Sequence, residues 1–351
     1  LAIAAVAVAC GAVTLREIAE WSRELPADLL SCLGFRHHPL RLRRAPSRSC
    51  FTRLFAQLDG DALDAAISRF LTHRAAAQAR EHDQDKRIPA KAVDGKSQRG
   101  STRLGQPRRH LLSAVDHDDA RTLAQVEVAA KTNETAGFKP LLDPLPLEAT
   151  VVTFDAMHTV NELLRWLHED KHAYYIAIVK ANQPLQRAAI EDLPWSQVPT
   201  GHKTSEQGHG RTESRSVKVT AVDAALGALH FPGATVAIRV HRRRQEASCK
   251  QTRETVYAIA NLPLSRADAE HVNAYMRNHW SIENRSHHVR DRVFGEDAST
   301  ISVGSAPRTM ASLRNLVIGA LRLAGATNIA ATSRYNAKNP SRALPALGIS
   351  T

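Results

Sequence analysis

Apolar positions recur at helical spacing through the first quarter of the chain. Residues 1–13 are almost wholly apolar, and Leu15, Ile18 and Ala19 continue at the helix period. Leu54, Leu58, Leu63, Ile67 and Leu71 carry the same spacing onward. A basic, proline-containing stretch separates the two parts, with His37, His38, Arg41, Arg43, Arg44 and Arg48 in or beside it. The polar run 80–87 reads as a linker. The pattern therefore predicts a helical N-terminal domain over residues 1–85. The chain starts at Leu1 rather than Met. The expectation is a piece of a longer chain, N-terminally shortened, that begins inside a buried helix.

From Ile88 the pattern changes. Residues 90–94 form a short strand candidate, and 110–116 and 122–129 flank a turn at His117-Asp118-Asp119-Ala120, which predicts a hairpin. Residues 133–142 read as a helix closed by Pro144 and Pro146. Residues 150–154 are a β-branched, apolar strand ending at Asp155. An amphipathic helix over 160–169, a buried strand over 174–179 and a helix over 183–193 follow. Strand, strand, strand, helix, strand, helix, strand, helix is the order of a ribonuclease H-like fold, α/β with a mixed sheet flanked by helices. Asp94 and Asp155 would then end adjacent strands, where open α/β sheets place their function.

Residues 200–262 break the alternation. Strand-like runs at 216–222, 235–242 and 255–260 have no long helix between them, so a β-rich insertion is expected there. Helices return over 266–292 and 307–323. A catalytic domain would thus span 86–326. The tail, 327–351, is rich in Ala, Asn, Pro and Ser and is expected to pack loosely.

The charge sharpens this picture. The net charge of +12 favours a polyanionic partner, chiefly nucleic acid. Hydrophobic content of 43% argues against global disorder. Cys10, Cys32, Cys50 and Cys249 form no Cys-x-x-Cys pair, so they read as small buried hydrophobes in a reducing compartment. No segment reaches transmembrane length, and a soluble protein with no membrane partner is expected.

Three acids stand out as candidate chemistry: Asp94, Asp155 and Glu283. Two strand-end aspartates and one helical glutamate are the hard-oxygen set that a two-metal phosphoryl-transfer site needs. Singly, each has a plain structural reading, because Asp after a strand is ordinary turn chemistry. On the predicted helix, His279, Glu283 and His287 share one face at four-residue spacing, with Arg290 a turn further. A surface salt-bridge face is the bland alternative. A zinc site on His279 and His287 is disfavoured, because eight helical residues separate them by about 12 Å. Lys96 and Lys180 lie beside the predicted strand ends. Arg211 and Arg215 sit in Gly208-His209-Gly210-Arg211-Thr212-Glu213-Ser214-Arg215, suited either to phosphates or to a polar hairpin. The clusters Arg103/Arg108/Arg109 and Arg239/Arg242/Arg243/Arg244 are candidate groove linings.

Seven ordered segments carry a resemblance across residues 12–349: Ala-Val-Asp-Gly-Lys-Ser (92–97), Lys-Thr-Asn-Glu (131–134), Asp-Ala-Met-His-Thr (155–159), Val-Lys-Ala-Asn-Gln (179–183), Gly-His-Gly-Arg-Thr-Glu (208–213), His-Trp-Ser-Ile-Glu-Asn (279–284) and Phe-Gly-Glu-Asp-Ala-Ser (294–299). The chain resembles the ISAs1-family insertion-sequence transposases, also called H-repeat-associated proteins, within the DDE transposases. Phe154 departs from the small residue such chains carry before the second Asp. The resemblance implies that Asp94, Asp155 and Glu283 form a metal-binding catalytic triad holding two Mg2+ ions, with Mn2+ as the substitute. Lys96, Lys180, Arg211, Arg215, His279, His287 and Arg290 are then expected toward DNA. The implied activity is cleavage of double-stranded DNA at terminal inverted repeats and strand transfer into target DNA. A homodimer acting on the nucleoid in a bacterial cytoplasm is the implied setting. Two alternatives stay open: an inactive DNA-binding remnant, and a ribonuclease H-like nuclease without strand transfer.

Overall fold

The computed structural model describes residues 1–35, 45–79, 87–101, 108–128, 134–208, 210–222, 231–246 and 251–350. The basic stretch 36–44, Arg103, His209, Cys249 and most of the 80–87 run lie outside these. Two compact units make up the chain. One comprises residues 1–84, 95–133 and 282–351, the other 85–94 and 134–281.

The first unit is built on α1 (Ala2–Ala9), which is apolar all round and buried from Ile3 onward. Helices α2 (Leu15–Glu24), α3 (Ala27–Cys32), α4 (Arg48–Gln57) and α5 (Gly60–Ala79) supply Leu15, Ile18, Leu29, Phe51, Phe55 and Leu71 to the same core. Strands β2 (Arg109–Asp116) and β3 (Thr122–Val128) form the expected antiparallel hairpin.

The tail is not loose. A helix over Ile329–Ala337 is followed by Ala343, Leu344, Ala346 and Leu347, all buried in the α1 core. Their one-sided spacing lets them cover apolar surface that α1 would otherwise expose to water. The cysteine expectation also holds only in part. Cys10 is buried, and burial pushes its thiol up to about 12, but Cys32 and Cys50 are exposed. Among the described residues no helix is long and apolar enough to cross a membrane.

The second unit begins with β1 (Ala90–Gln98), which passes into the first unit after Asp94. Then come α6 (Thr135–Leu142), β4 (Val151–Phe154), α7 (Asn161–Arg165), β5 (Tyr174–Val179) and α8 (Pro184–Glu191). Strands β6 (His202–Gly208), β7 (Arg211–Ala221), β8 (Val236–Glu246) and β9 (Gln251–Ala260) occupy the expected β-rich insertion. The strands hydrogen-bond in the order β3-β2-β1-β4-β5-β9-β8-β7-β6. Strand β4 is parallel to β1 and β5, whereas β9 runs antiparallel to β5. The insertion therefore extends the mixed sheet itself. Helix α9 (Ala269–Ile282) covers one face, with Val272, Tyr275 and Met276 packed on Val217, Ile238, Val240 and Ala258.

Candidate active site

Four register pairs, from Ala90↔Val151 to Val93↔Phe154, fix β1 beside β4. The next residue on each strand is Asp94 or Asp155. Parallel strands lie about 4.8 Å apart, so the two aspartates leave neighbouring strands at one level. Asp155 ends its strand, as the sequence leads one to expect. Asp94 does not, because β1 continues to Gln98; it marks where pairing with β4 stops. Phe154, fully buried, packs edge-on against Phe138 at 5.3 Å and so anchors the base of the Asp155 turn.

Asp155 caps a short 3-10 turn. Its Oδ1 accepts the Ala156 N–H at 2.8 Å and the Lys180 ammonium at 2.7 Å. Lys180 is delivered by β5, whose Ala177 is in register with Phe154. Partial burial works to raise the Asp155 pKa. The hydrogen bonds from Lys180 and Ala156 and the charge of Lys180 outweigh it, and the carboxyl sits below its usual range.

His279, on α9, lies within the field of Asp155 and hydrogen-bonds Thr153 Oγ1 through Nδ1 at 3.2 Å. Burial lowers its pKa to about 4, with Lys180 and His158 adding to the effect and Asp155 opposing it. The ring is thus neutral at physiological pH. Above pH 6.5 neither the folded nor the unfolded chain protonates it. Between pH 6.5 and about 4 only the unfolded chain gains the proton, so stability falls with pH, by about 3 kcal/mol at the lower end. Stability measured from pH 7 to 4 is expected to show this loss in the wild type and a shallower one in His279→Gln. Parallel curves would contradict the assignment.

Glu283 opens a π-helical stretch, Glu283–His287, between α9 and α10 (His288–Arg292). One wide turn of this kind interrupts the helix expected over 266–292, and such turns are frequent at functional sites. His287 Nδ1 lies 3.0 Å from Glu283 Oε2. An ionised carboxylate only accepts, so Nδ1 carries the proton and donates. This bond lowers the Glu283 pKa; burial opposes it, and Lys96 and His288 add to it. Lys96 is itself buried, with Nζ 2.7 Å from Asp291 and 3.7 Å from Asp297. Its strand end is fixed by Gly100, where any Cβ would fall 2.2 Å from the Ser299 carbonyl.

Three further cations are expected toward DNA: Arg211, Arg215 and Arg290. Arg211 is exposed where β7 begins. Arg215 pairs with Glu213 and lies over the Trp280 ring at 5.7 Å. Arg290 is 1% exposed and clamps Glu296 through bonds of 2.9 and 2.7 Å, with Arg314 on the same carboxylate at 3.2 Å. Its charge is used inside the first unit. The 294–299 segment stands out in the sequence, but this ion triad does not, nor do the Asp291 and Asp297 partners of Lys96. Two arginines eighteen or six residues from a glutamate carry no local signal.

The Asp155 and Glu283 carboxylates each suit a hard divalent cation. Asp155 and Glu283 are both held below their ordinary range, hence anionic at neutral pH, and oxygen is the ligand such ions prefer.

A mixed sheet with side-by-side aspartates on parallel strands, then a β-extension and a glutamate-bearing helix, defines the ribonuclease H-like class. Comparison with known proteins narrows this. The family described as "Transposase DDE domain" matches residues 76–317, and one described as "DDE_Tnp_1-associated" matches residues 1–71. The chain belongs to the DDE transposase family. It is 29% identical over 243 residues to "Putative transposase YncI" of Escherichia coli O157:H7, covering 66% of this chain and 61% of that protein. It is 27% identical over 241 residues to "H repeat-associated putative transposase YhhI" of Escherichia coli K12, covering 66% and 63%. A third relative, "Uncharacterized protein in dhlA 3'region" of Xanthobacter autotrophicus, is 28% identical over 261 residues, 72% of this chain and 83% of that one. The chain thus spans less than two thirds of the length of the first two.

Proposed function

We propose that this chain carries out metal-dependent DNA cleavage and strand transfer at the ends of an insertion sequence, with Asp94, Asp155 and Glu283 as the catalytic acids. The observation that carries this reading is the parallel register of β1 and β4, which delivers Asp94 and Asp155 at one level. The family match over residues 76–317 supports it. His287, bonded to Glu283, is a further candidate ligand.

Two divalent cations, when bound, supply Lewis-acid polarisation of the phosphodiester and neutralise charge on the attacking and departing oxygens. The chain's own part is positioning and electrostatics. Lys180 and the Ala156 N–H hold the Asp155 carboxylate in one orientation and keep it ionised. His287 does the same for Glu283. Neutral His279, hydrogen-bonded to Thr153, lies within the field of Asp155 without cancelling its charge. In the first step a water oxygen attacks phosphorus, the P–O3′ bond breaks and a 3′-hydroxyl is freed. In the second, that hydroxyl attacks a target phosphodiester, forming one P–O bond and releasing one target 3′-hydroxyl. Because two element ends must be joined, the working species in this reading is a homodimer on double-stranded DNA.

The test combines purified chain, Mg2+, duplexes bearing the element's terminal inverted repeats, and a target plasmid. A covalent donor–target product is expected. Nicked ends without joining would mean a nuclease, and neither product would mean a DNA-binding remnant; both results overturn the proposal.

A further inference from the structure

Strands β6 to β9 pair antiparallel with no register shift, so residues directly opposite share a face. Sorting them by register puts every acid of the described residues of these strands on one face. Glu206, Glu213, Glu246 and Glu254 all fall on the face that α9 covers at its inner end. There they meet cations: Glu213 takes Arg215 and Arg242, Glu206 takes Arg277, and Glu246 takes Arg244. Glu213 is held at about 2, because its arginine partners outweigh the burial that would raise it.

The opposite face holds no acid among the described residues of these strands. It presents Lys203, Lys218, Arg239, His241, Arg243 and Arg253, and the rest of its outer part is hydroxyl and amide side chains. Lys218, whose ammonium donates to the Trp195 carbonyl at 2.6 Å, stands directly opposite Arg239, and Arg243 opposite Arg253. Like charges facing each other across a ladder are destabilising, so folding alone does not favour setting Arg243 opposite Arg253. Residues two apart on a strand repeat about every 7 Å, which makes a two-dimensional lattice of donors. Arg243, Arg253 and Lys203 are exposed.

We infer that this acid-free face of β6–β9 docks the phosphate backbone of double-stranded DNA without reading its sequence. Charge complementarity identifies the occupant: cations interleaved with hydroxyl and amide donors are the groups that position phosphates. The sequence cluster Arg239/Arg242/Arg243/Arg244 is thereby divided. Arg239 and Arg243 face the DNA, whereas Arg242 and Arg244 are paired on the other side. The choice of DNA as the polyanion rests on the function proposed above.

The adjacent residues Arg243 and Arg244 give a matched test, with equal charge change on opposite faces. Binding of the full chain to a 30-base-pair duplex of arbitrary sequence (about three helical turns) is measured in EDTA across a salt series. Arg243→Gln is expected to reduce the salt slope by about 0.9, and Arg243→Gln/Arg253→Gln by about 1.8 with roughly tenfold weaker binding. Arg244→Gln should leave both nearly unchanged. The double variant should melt at or above the wild-type temperature, since a like-charge pair is removed. Equal effects of Arg243→Gln and Arg244→Gln, or binding loss accompanied by a lower melting temperature, would overturn the face. Wild-type chain that fails to bind DNA at all would sink the functional reading with it. Binding that is indifferent to face sinks this inference alone.

Discussion

Asp155→Asn is expected to lower Mg2+-dependent cleavage at the element's ends by about a thousandfold, which corresponds to about 4 kcal/mol of lost transition-state stabilisation. The amide keeps the shape and can still accept the Lys180 and Ala156 hydrogen bonds at its oxygen, so the turn after β4 should survive. What it loses is the negative charge. DNA binding in EDTA should therefore persist, and the melting temperature should change little, because Asp155 is half exposed and its ion pair with Lys180 is a surface one. Rate assays on supercoiled plasmid carrying the terminal repeats check the prediction. Cleavage within tenfold of wild type would remove Asp155 from the chemistry.

Glu296→Ala is expected to destabilise the first unit by about 3–5 kcal/mol. Glu296 and Arg290 are each 1% exposed, and Arg314 only slightly more, so the change leaves two buried guanidinium groups with no counter-charge. Burial works against an ionised Glu296, yet Arg290 and Arg314 hold its carboxyl below the ordinary range. Removing the whole triad, with Arg290→Met, Glu296→Leu and Arg314→Leu together, should cost much less than Glu296→Ala alone, because a well-packed apolar set needs no counter-ion. Urea denaturation of the two variants gives the comparison. A single variant as stable as wild type would show that the triad contributes no specific support to the helix ending at Arg292.

These two residues mark what the sequence makes legible. Asp155 stands out because the run Val-Val-Thr-Phe is apolar and β-branched and stops at a carboxylate, and a second such run stops near Asp94. Strand identity follows from that. Register does not. Strand β6, His-Lys-Thr-Ser-Glu-Gln-Gly, has no apolar residue, and it becomes a strand only because β7 offers it seven partners. The confinement of the acids to one face of β6–β9 is likewise invisible until pairing sets the parity of each position. Lys96 looks like a phosphate ligand when read beside Asp94, whereas its ammonium is taken by Asp291, 195 residues away. The tail looked loose because its composition is polar on average, although four apolar positions suffice to seal the α1 core. Periodicity carries the elements, and long-range ion pairing is decided only by the fold.

The proposed role of Asp94, Asp155 and Glu283 is to hold the divalent cations of a phosphodiester-processing site. Its most direct test is Mn2+ binding to the full chain, followed by electron paramagnetic resonance in the presence of a terminal-repeat duplex. Bound Mn2+ is expected in the wild type, with at least about tenfold weaker binding in each of Asp94→Asn, Asp155→Asn and Glu283→Gln. Mn2+ bound equally well by all four proteins would contradict it.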